Sequence, residues 1–492
     1  MPGALFGDAL RTRLADIDAT ISYQRSVFRQ LRQERKQVQL QLDSLVYDPV
    51  LKLPPEITSD IFIHCLPVVR AHGSVNTMEA PMLLSHVSKP WREIALSTRA
   101  LWAEVDLDVQ AKRPCVAEIF KSWLERGRGC PLSVKLRGPM TNVSNVSQLF
   151  KTFQQHSQRM CSLELDMSVE DVENMVEYGV DMGFPLLQKL VIRLLDYDDD
   201  LEDEPPIDIF SNAPLLREVF LRGPPPSSVS LPWQQLNKFT GELYTVADCL
   251  EALQLSPNIT ECAFAVYENI DLDPGSDPFS HSTLKTFTLF KSISEASGDD
   301  ACSAEILSFL ALPGLQTLQI LDSDDFDDDI FDSFLTRSAP PLRKLCIRLE
   351  GTTEIAVTTF VSIPGLTDLE IWRPDVGFLT DLLGFFGWDY NLLPQLTNLS
   401  FLGCICRFPG LPVYHMLEIL EEPLTERWNL RLGGDRGVAA LQSFRLLWET
   451  DFGDLIDDPD PLLAFKRLAA EGMNVQIESK TKAFIRPMQD SR

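Results

Sequence analysis

The pattern that most restricts this chain is Leu-x-x-Leu-x-Ile, with conservative swaps, behind a small or proline-containing lead-in. It reads FPLLQKLVI from Phe184, APLLREVFL from Ala213, SPNITECAF from Ser256 and HSTLKTFTL from His281. It continues as LPGLQTLQI from Leu312, APPLRKLCI from Ala339, IPGLTDLEI from Ile363, LPQLTNLSF from Leu393 and VAALQSFRL from Val438, with a half-copy, GMNVQI, at Met473. Weaker copies sit at LWAEVDL (Leu101), PLSVKL (Pro131), HSQRMCSLEL (His156) and WQQLNKF (Trp233). First leucines or their equivalents fall at Leu187, Leu216, Leu236, Ile259, Leu284, Leu315, Leu342, Leu366 and Leu396, so the intervals run from 20 to 31 residues.

An interval of that size holds one short strand and one return segment, such as AEILSFLALPG after Ala304, expected to supply a covering helix. Alternate strand residues face inward, and one copy cannot bury its apolar face alone, so neighbours must stack. The fold class that follows is an α/β solenoid with a curved parallel sheet. Leu318 and Leu345 are predicted to share a buried row on adjacent strands, while Gln319 and Cys346, one residue further on, are predicted to face the concave surface where a target would touch them. A doubly wound domain also alternates strands and helices, but it predicts less regular strand motifs and a glycine-rich first turn; neither occurs. The asparagine or cysteine that leucine-rich repeats usually carry beyond the strand motif is missing, with Leu195, Pro224 and Glu350 in its place. The turns are therefore expected to be irregular.

Composition narrows the partners. Lys and Arg total 44 against 71 Asp and Glu, a net charge of −27. Such a field repels nucleic-acid phosphates and anionic lipid, so neither nucleic acid nor membrane is an expected partner. An apolar fraction of 45% over 492 residues supports a sizeable core and two or three domains. MPGALFGDAL is no secretory signal, and ten scattered cysteines suit reduced thiols. The expected location is intracellular, cytoplasmic and/or nuclear. Phosphate loops, dinucleotide-binding glycines and a nucleophile elbow are all missing; Cys404-Ile405-Cys406 is too tightly spaced for a usual zinc pair, and the six histidines are dispersed. The expectation is a non-enzyme with no catalytic residue, metal or cofactor.

Acidic runs follow strand motifs: DYDDDLEDE from Asp196, DLDPGSD from Asp271, DSDDFDDD from Asp322 and DFGDLIDDPD from Asp451. Two readings stand: solvated loops that keep the chain soluble, or a rim, including Asp198, Asp199, Asp325 and Asp328, that steers a basic target segment inward.

Ahead of the repeats, Leu10, Leu14, Ile17, Ile21, Gln24, Phe28, Leu31, Arg35, Val38, Leu42 and Leu45 alternate at four- and three-residue spacing. That is a coiled-coil seam broken only at Gln24 and Arg35. It pairs with a second copy, giving a homodimer, or folds back onto the chain's own body.

Between helix and repeats lies LPPEITSDIFIHCLP from Leu53 and LLSHVSKPWREIALSTRALW from Leu83. Proline opens a helix without losing a needed N–H, and Glu56 suits the positive end of its dipole. Ile57, Ile61 and Phe62 then form an apolar stripe, a second helix starts at Met82, and Ser88-Lys89-Pro90 interrupts it before Trp91. Three helices this short need a partner on one side. The segment resembles an F-box on Leu53-Pro54, Glu56-Ile57, Ile61-Phe62, Val87, Trp91-Arg92 and Leu101-Trp102, departing from many members at Ser88 and Pro90. With the heptad helix and Tyr47-Asp48-Pro49-Val50, it is similar to the expanded F-box families of mushroom-forming fungi.

The resemblance implies that Leu53, Pro54, Glu56, Ile57, Ile61, Phe62, Val87, Trp91, Leu101 and Trp102 dock a Skp-type adaptor and, through it, a cullin. The expected layout is a heptad helix at 8–46, an F-box at 50–102, irregular leucine-rich repeats at 103–480 and a tail at 481–492. The expected function is a substrate receptor of an SCF-type ubiquitin ligase, with the repeats binding a protein target. The alternative is a scaffold that assembles a complex through helix and solenoid without ubiquitin transfer.

Overall fold

The computed structural model describes residues 3–45, 53–67, 76–109, 115–140, 143, 146–178, 182–195, 206–268, 277–291, 303–321, 328–349, 357–374, 376–388, 391–404, 413–432, 437–449, 462–479 and 483–485. They form two compact units, one holding the long N-terminal helix and three short helices, the other everything from Trp102 onward.

The first unit opens with α1 (Gly3–Leu45), a single 43-residue helix. Then come α2 (Pro55–His64), α3 (Met82–Val87) and α4 (Lys89–Ser97). The interruption read at Ser88-Lys89-Pro90 is a helix start. Ser88 is extended at φ −154° and its side chain accepts from the Trp91 N–H at 3.3 Å, while Pro90 occupies the first turn. Both residues are what a helix N-terminus favours.

In the second unit the first half reads β1 (Glu104–Asp108), α5 (Val116–Arg126), β2 (Leu132–Arg137), α6 (Val146–His156), β3 (Met160–Met167), α7 (Val169–Tyr178), β4 (Lys189–Leu194), β5 (Glu218–Arg222), β6 (Lys238–Thr245), α8 (Val246–Leu255) and β7 (Glu261–Glu268). The second half reads β8 (Phe279–Ser280), β9 (Thr286–Leu289), β10 (Leu310–Ala311), β11 (Thr317–Ile320), α9 (Asp328–Ser338), β12 (Lys344–Arg348), β13 (Asp368–Trp372), α10 (Val376–Trp388), β14 (Asn398–Cys404), α11 (Val413–Asn429), β15 (Ser443–Trp448), α12 (Leu463–Ala470), β16 (Asn474–Ser479) and β17 (Ala483–Ile485). Among the described residues, fifteen strands form one sheet in chain order, β8 and β10 pairing separately. The sheet is parallel from β1 to β16, and only β17 runs antiparallel. Residues 483–485, expected in a tail, are therefore part of the sheet and pair with its last parallel strand.

The motif explains this order. Leu187, Leu216, Leu236, Ile259, Leu284, Leu315 and Leu366 are fully buried just before their strands, and Leu342 and Leu396 nearly so. One backbone bond pattern recurs between copies. The carbonyl after each first leucine accepts from two consecutive amides of the next copy: Lys285 from Gln316 and Thr317, Gln316 from Arg343 and Lys344, Arg343 from Thr367 and Asp368, all at 2.8–3.0 Å. The hydroxyls of Thr260, Thr367 and Thr397 donate to the same class of carbonyl (Asn237, Arg343 and Thr367), so this edge has a partial side-chain ladder despite the missing asparagines. Leu318 and Leu345 are Cα partners on β11 and β12 and both are fully buried. Rings continue the inward face, with Phe239, Phe264 and Phe287 in sequence at centroid distances of 6.1 and 6.0 Å.

Return segments are less uniform than their strands. The stretch after Ala304 forms a 3-10 run, Ser303–Phe309, in place of the expected covering helix. It still buries Ile306, Leu307 and Leu310. The shortest interval, Leu216 to Leu236, holds two 3-10 turns, Pro226–Ser228 and Trp233–Gln235. The longer rise of a 3-10 turn, about 2 Å per residue, lets a few residues cross a strand end.

Candidate docking surfaces

Within the helical module, Phe62 is 1% exposed and its ring lies 4.9 Å from that of Trp91. Ser59 Oγ and Thr98 Oγ1 are 2.8 Å apart, joining α2 to the end of α4, and Arg92 Nε donates to the Ser85 carbonyl at 2.8 Å, joining α4 to α3. These contacts leave one set of aliphatic side chains outside. Leu53, Ile57 and Ile61 are 39, 47 and 42% exposed; four-residue spacing aligns Ile57 with Ile61 along α2, and Leu53 stands just before its Pro54 N-cap. Val87 (55%) and Leu83 (41%) repeat that spacing on α3, with Leu96 (39%) on α4. Single exposed leucines are ordinary; here they stand in short rows on helices of six to ten residues.

The expected adaptor residues thus separate. Leu53, Pro54, Glu56, Ile57, Ile61 and Val87 are exposed and Trp91 is half-buried. Phe62, Leu101 and Trp102 are buried by the chain itself. Phe62 carries the module's core. Trp102 belongs to the sheet unit, with the Trp123 ring at 4.7 Å edge-on and the Arg126 guanidinium 4.5 Å from its own ring. In this conformation none of the three has surface to offer a partner. Leu83 and Leu96 were missed as surface anchors; the spacing of Leu83 from Val87 was the available signal.

The sheet has one face carrying the apolar residues of the core and one open face. Register brings Asp106, Lys135, Glu164, Val191, Phe220 and Thr240 into one row on the open face, continued by Ala263, Thr288, Gln319, Cys346, Glu370, Ser400 and Arg445. At the β1 end charges neutralise one another. Lys135 Nζ meets Glu164 at 2.5 Å, Arg193 meets Asp166 at 3.0 Å, and Arg137 grips Asp106 with two nitrogens. Burial raises the Glu164 carboxyl, but the Lys135 hydrogen bond and charge, with Arg193, bring it net below its ordinary value. The Asp106 bond holds the Arg137 guanidinium above its own ordinary value. Arg193 also lies 4.9 Å from the Phe220 ring centroid. From Thr240 to Gln319 the row is half-exposed and uncharged, a neutral strip beside an ion-paired one. Phe220 and the exposed Trp372 lie on this face and were not singled out from sequence, although the position between the two inward residues of each strand identifies Phe220.

Gln319 is half-exposed on this face, beside Cys346 in register. Cys346 is not available: it is 3% exposed, 3.6 Å from Glu370 Oε1, and burial together with that carboxylate pushes its thiol up to about 12. Strand alternation names the face correctly, but the longer Glu370 side chain on β13 covers the shorter cysteine. Asp328 is not in a loop; it is half-buried in the first turn of α9, where a carboxylate suits the helix dipole. Asp198, Asp199 and Asp325 lie outside the described residues.

Among the described residues no group of three or more His, Cys, Asp or Glu is placed to hold a metal ion, and no helix is long and apolar enough to cross a membrane. No family model and no curated protein matches the chain.

Proposed function

We propose that this chain is a substrate receptor of an SCF-type ubiquitin ligase. In this reading α2–α4 are an F-box that docks a Skp-type adaptor and through it a cullin. The sheet unit is an irregular leucine-rich-repeat solenoid whose open face holds a protein target, and the chain works in the cytoplasm or nucleus. The observation that carries the reading is the exposed row Leu53, Ile57 and Ile61, standing within a segment that resembles an F-box. Burying such a row against a partner supplies most of a docking energy. On the target side, the neutral strip from Thr240 to Gln319 gives a polypeptide room to lie flat, and ion pairing at the β1 end leaves little net charge there to attract nucleic acid.

The test is co-expression with a Skp-type adaptor. A Leu53→Ala/Pro54→Ala double variant is expected to lose adaptor binding several-fold or more while the sheet unit keeps its thermal transition. Undiminished co-purification would remove the docking assignment. Recovery of adaptor without cullin from native extracts would favour a scaffold over a ligase subunit.

A further inference from the structure

We infer that α1 pairs with the α1 of a second copy of this chain as a parallel, in-register, two-stranded coiled coil. Every apolar seam residue from Leu10 to Leu42 is exposed, from 43% at Ile21 to 61% at Leu14. Among the described residues no other helix matches its length, since the next longest, α11, has 17 residues with Pro423 inside. Ile21, Gln24, Phe28 and Leu31 line a groove open to solvent on α1 itself, the kind of hole into which a facing helix inserts a knob.

The area suits a dimer. Eight apolar seam side chains (Leu10, Leu14, Ile17, Ile21, Phe28, Leu31, Val38 and Leu42) at roughly 80 Å² each bring about 650 Å² per chain. Flanking residues take that near the ~800 Å² per partner of a stable interface.

Polarity and charge choose the partner and its direction. With Leu14, Ile21, Phe28, Arg35 and Leu42 in the first core position of the heptad, the second holds Leu10, Ile17, Gln24, Leu31 and Val38. Parallel in-register pairing sets Gln24 against Gln24, where two amides satisfy each other. It also sets Arg35 against Arg35, each with the Glu34 of the other copy beside it, and Arg13 beside Asp18 of the other copy. None of the flanking pairs made this way opposes like charges. Reversing one helix either places Gln24 against Ile21 or Phe28 and Arg35 against Leu10 or Ile17, burying polar groups against hydrocarbon, or pairs Gln24 with Arg35 and then sets Arg25 beside Arg32 of the other copy, like charge against like. A second copy in parallel is thus the occupant that pairs Gln24 with Gln24 and sets a Glu34 beside each Arg35 without opposing like charges on the flanks. Each particle then presents two helical modules and two sheets, which gives avidity towards any target with repeated sites.

The experiment uses the full chain. Light scattering should return twice the 55.5 kDa of one chain. Ile21→Asp should raise the dimer dissociation constant at least about a hundredfold, because each dimer would bury two uncompensated carboxylates, while the thermal transition of the sheet stays in place. Gln24→Cys should form an interchain disulfide under mild oxidation, beyond any shown by the unmutated chain, since in-register pairing brings the two Cα atoms within disulfide reach. A single-chain mass at micromolar concentration overturns the proposal, as does a dimer that survives both Ile21→Asp and Leu31→Asp. A dimer that never cross-links through Gln24→Cys overturns the parallel arrangement.

Discussion

Truncating Leu318 or Leu345 to alanine tests whether neighbouring copies share one continuous core. Both side chains are fully buried and their Cα atoms are register partners on adjacent parallel strands. Each truncation removes three carbons from the core, about 2.4 kcal/mol at ~0.8 kcal/mol per buried methylene. An unrelaxed cavity of roughly 60 Å³ adds about 1.4 kcal/mol at ~24 cal/mol per Å³. The expected loss is therefore about 4 kcal/mol for either variant. The double variant should depart from the sum, because the two sites border one another. Gln319→Ala, one residue along and half-exposed on the opposite face, should stay within about 0.5 kcal/mol of the parent. Urea unfolding followed by far-ultraviolet circular dichroism, with slopes compared before free energies, reads all four proteins. Equal costs at Leu318 and Gln319, or a Leu318→Ala cost below about 1 kcal/mol, would refute the assignment of inward and open faces.

Two further substitutions and labels probe the spacing of copies and the covered cysteine. A Cβ at Gly314 would collide with the Ser282 carbonyl of the preceding copy, whereas one at Gly365, in the same place of its motif, would sit at an ordinary 3.6 Å from the Leu342 carbonyl. Gly314→Ala should cost about 1–3 kcal/mol, and Gly365→Ala should be neutral or slightly stabilising, both read as midpoint shifts in thermal unfolding. Iodoacetamide at pH 8 should modify the exposed Cys65 well before Cys346, whose buried thiol is pushed up to about 12 and so stays protonated. Peptide mass spectra giving equal rates in the native chain would restore Cys346 to the accessible surface.

The repeat itself was legible because one physical demand, burial of alternate residues on stacked strands, writes the same letters in every copy. That made Leu318 beside Leu345 readable without coordinates, and it made the segment at LWAEVDL readable as a strand despite its poor match. The residues expected to face an adaptor were only partly legible. A motif records which positions are apolar, but not which of them turn inward: Ile61 and Phe62 are neighbours in sequence, one 42% exposed and the other 1%. The same limit applied to Trp91, whose indole lies tilted against the Phe62 ring and is only half-exposed.

What the sequence determined by itself were periods: three-and-four spacing along α1, four-residue spacing along α2, and strands recurring at intervals too short for anything but stacking. Periods are local properties, set by the pitch of a helix and the pleat of a strand. Tertiary structure decided everything that depends on a neighbour's size and reach. It put Glu370 over Cys346, set Ser282 against Gly314, closed the sheet with an antiparallel β17, and drew Trp102 into the sheet unit. None of these follows from a pattern, because each depends on which atoms of a distant segment fill the space beside the residue in question.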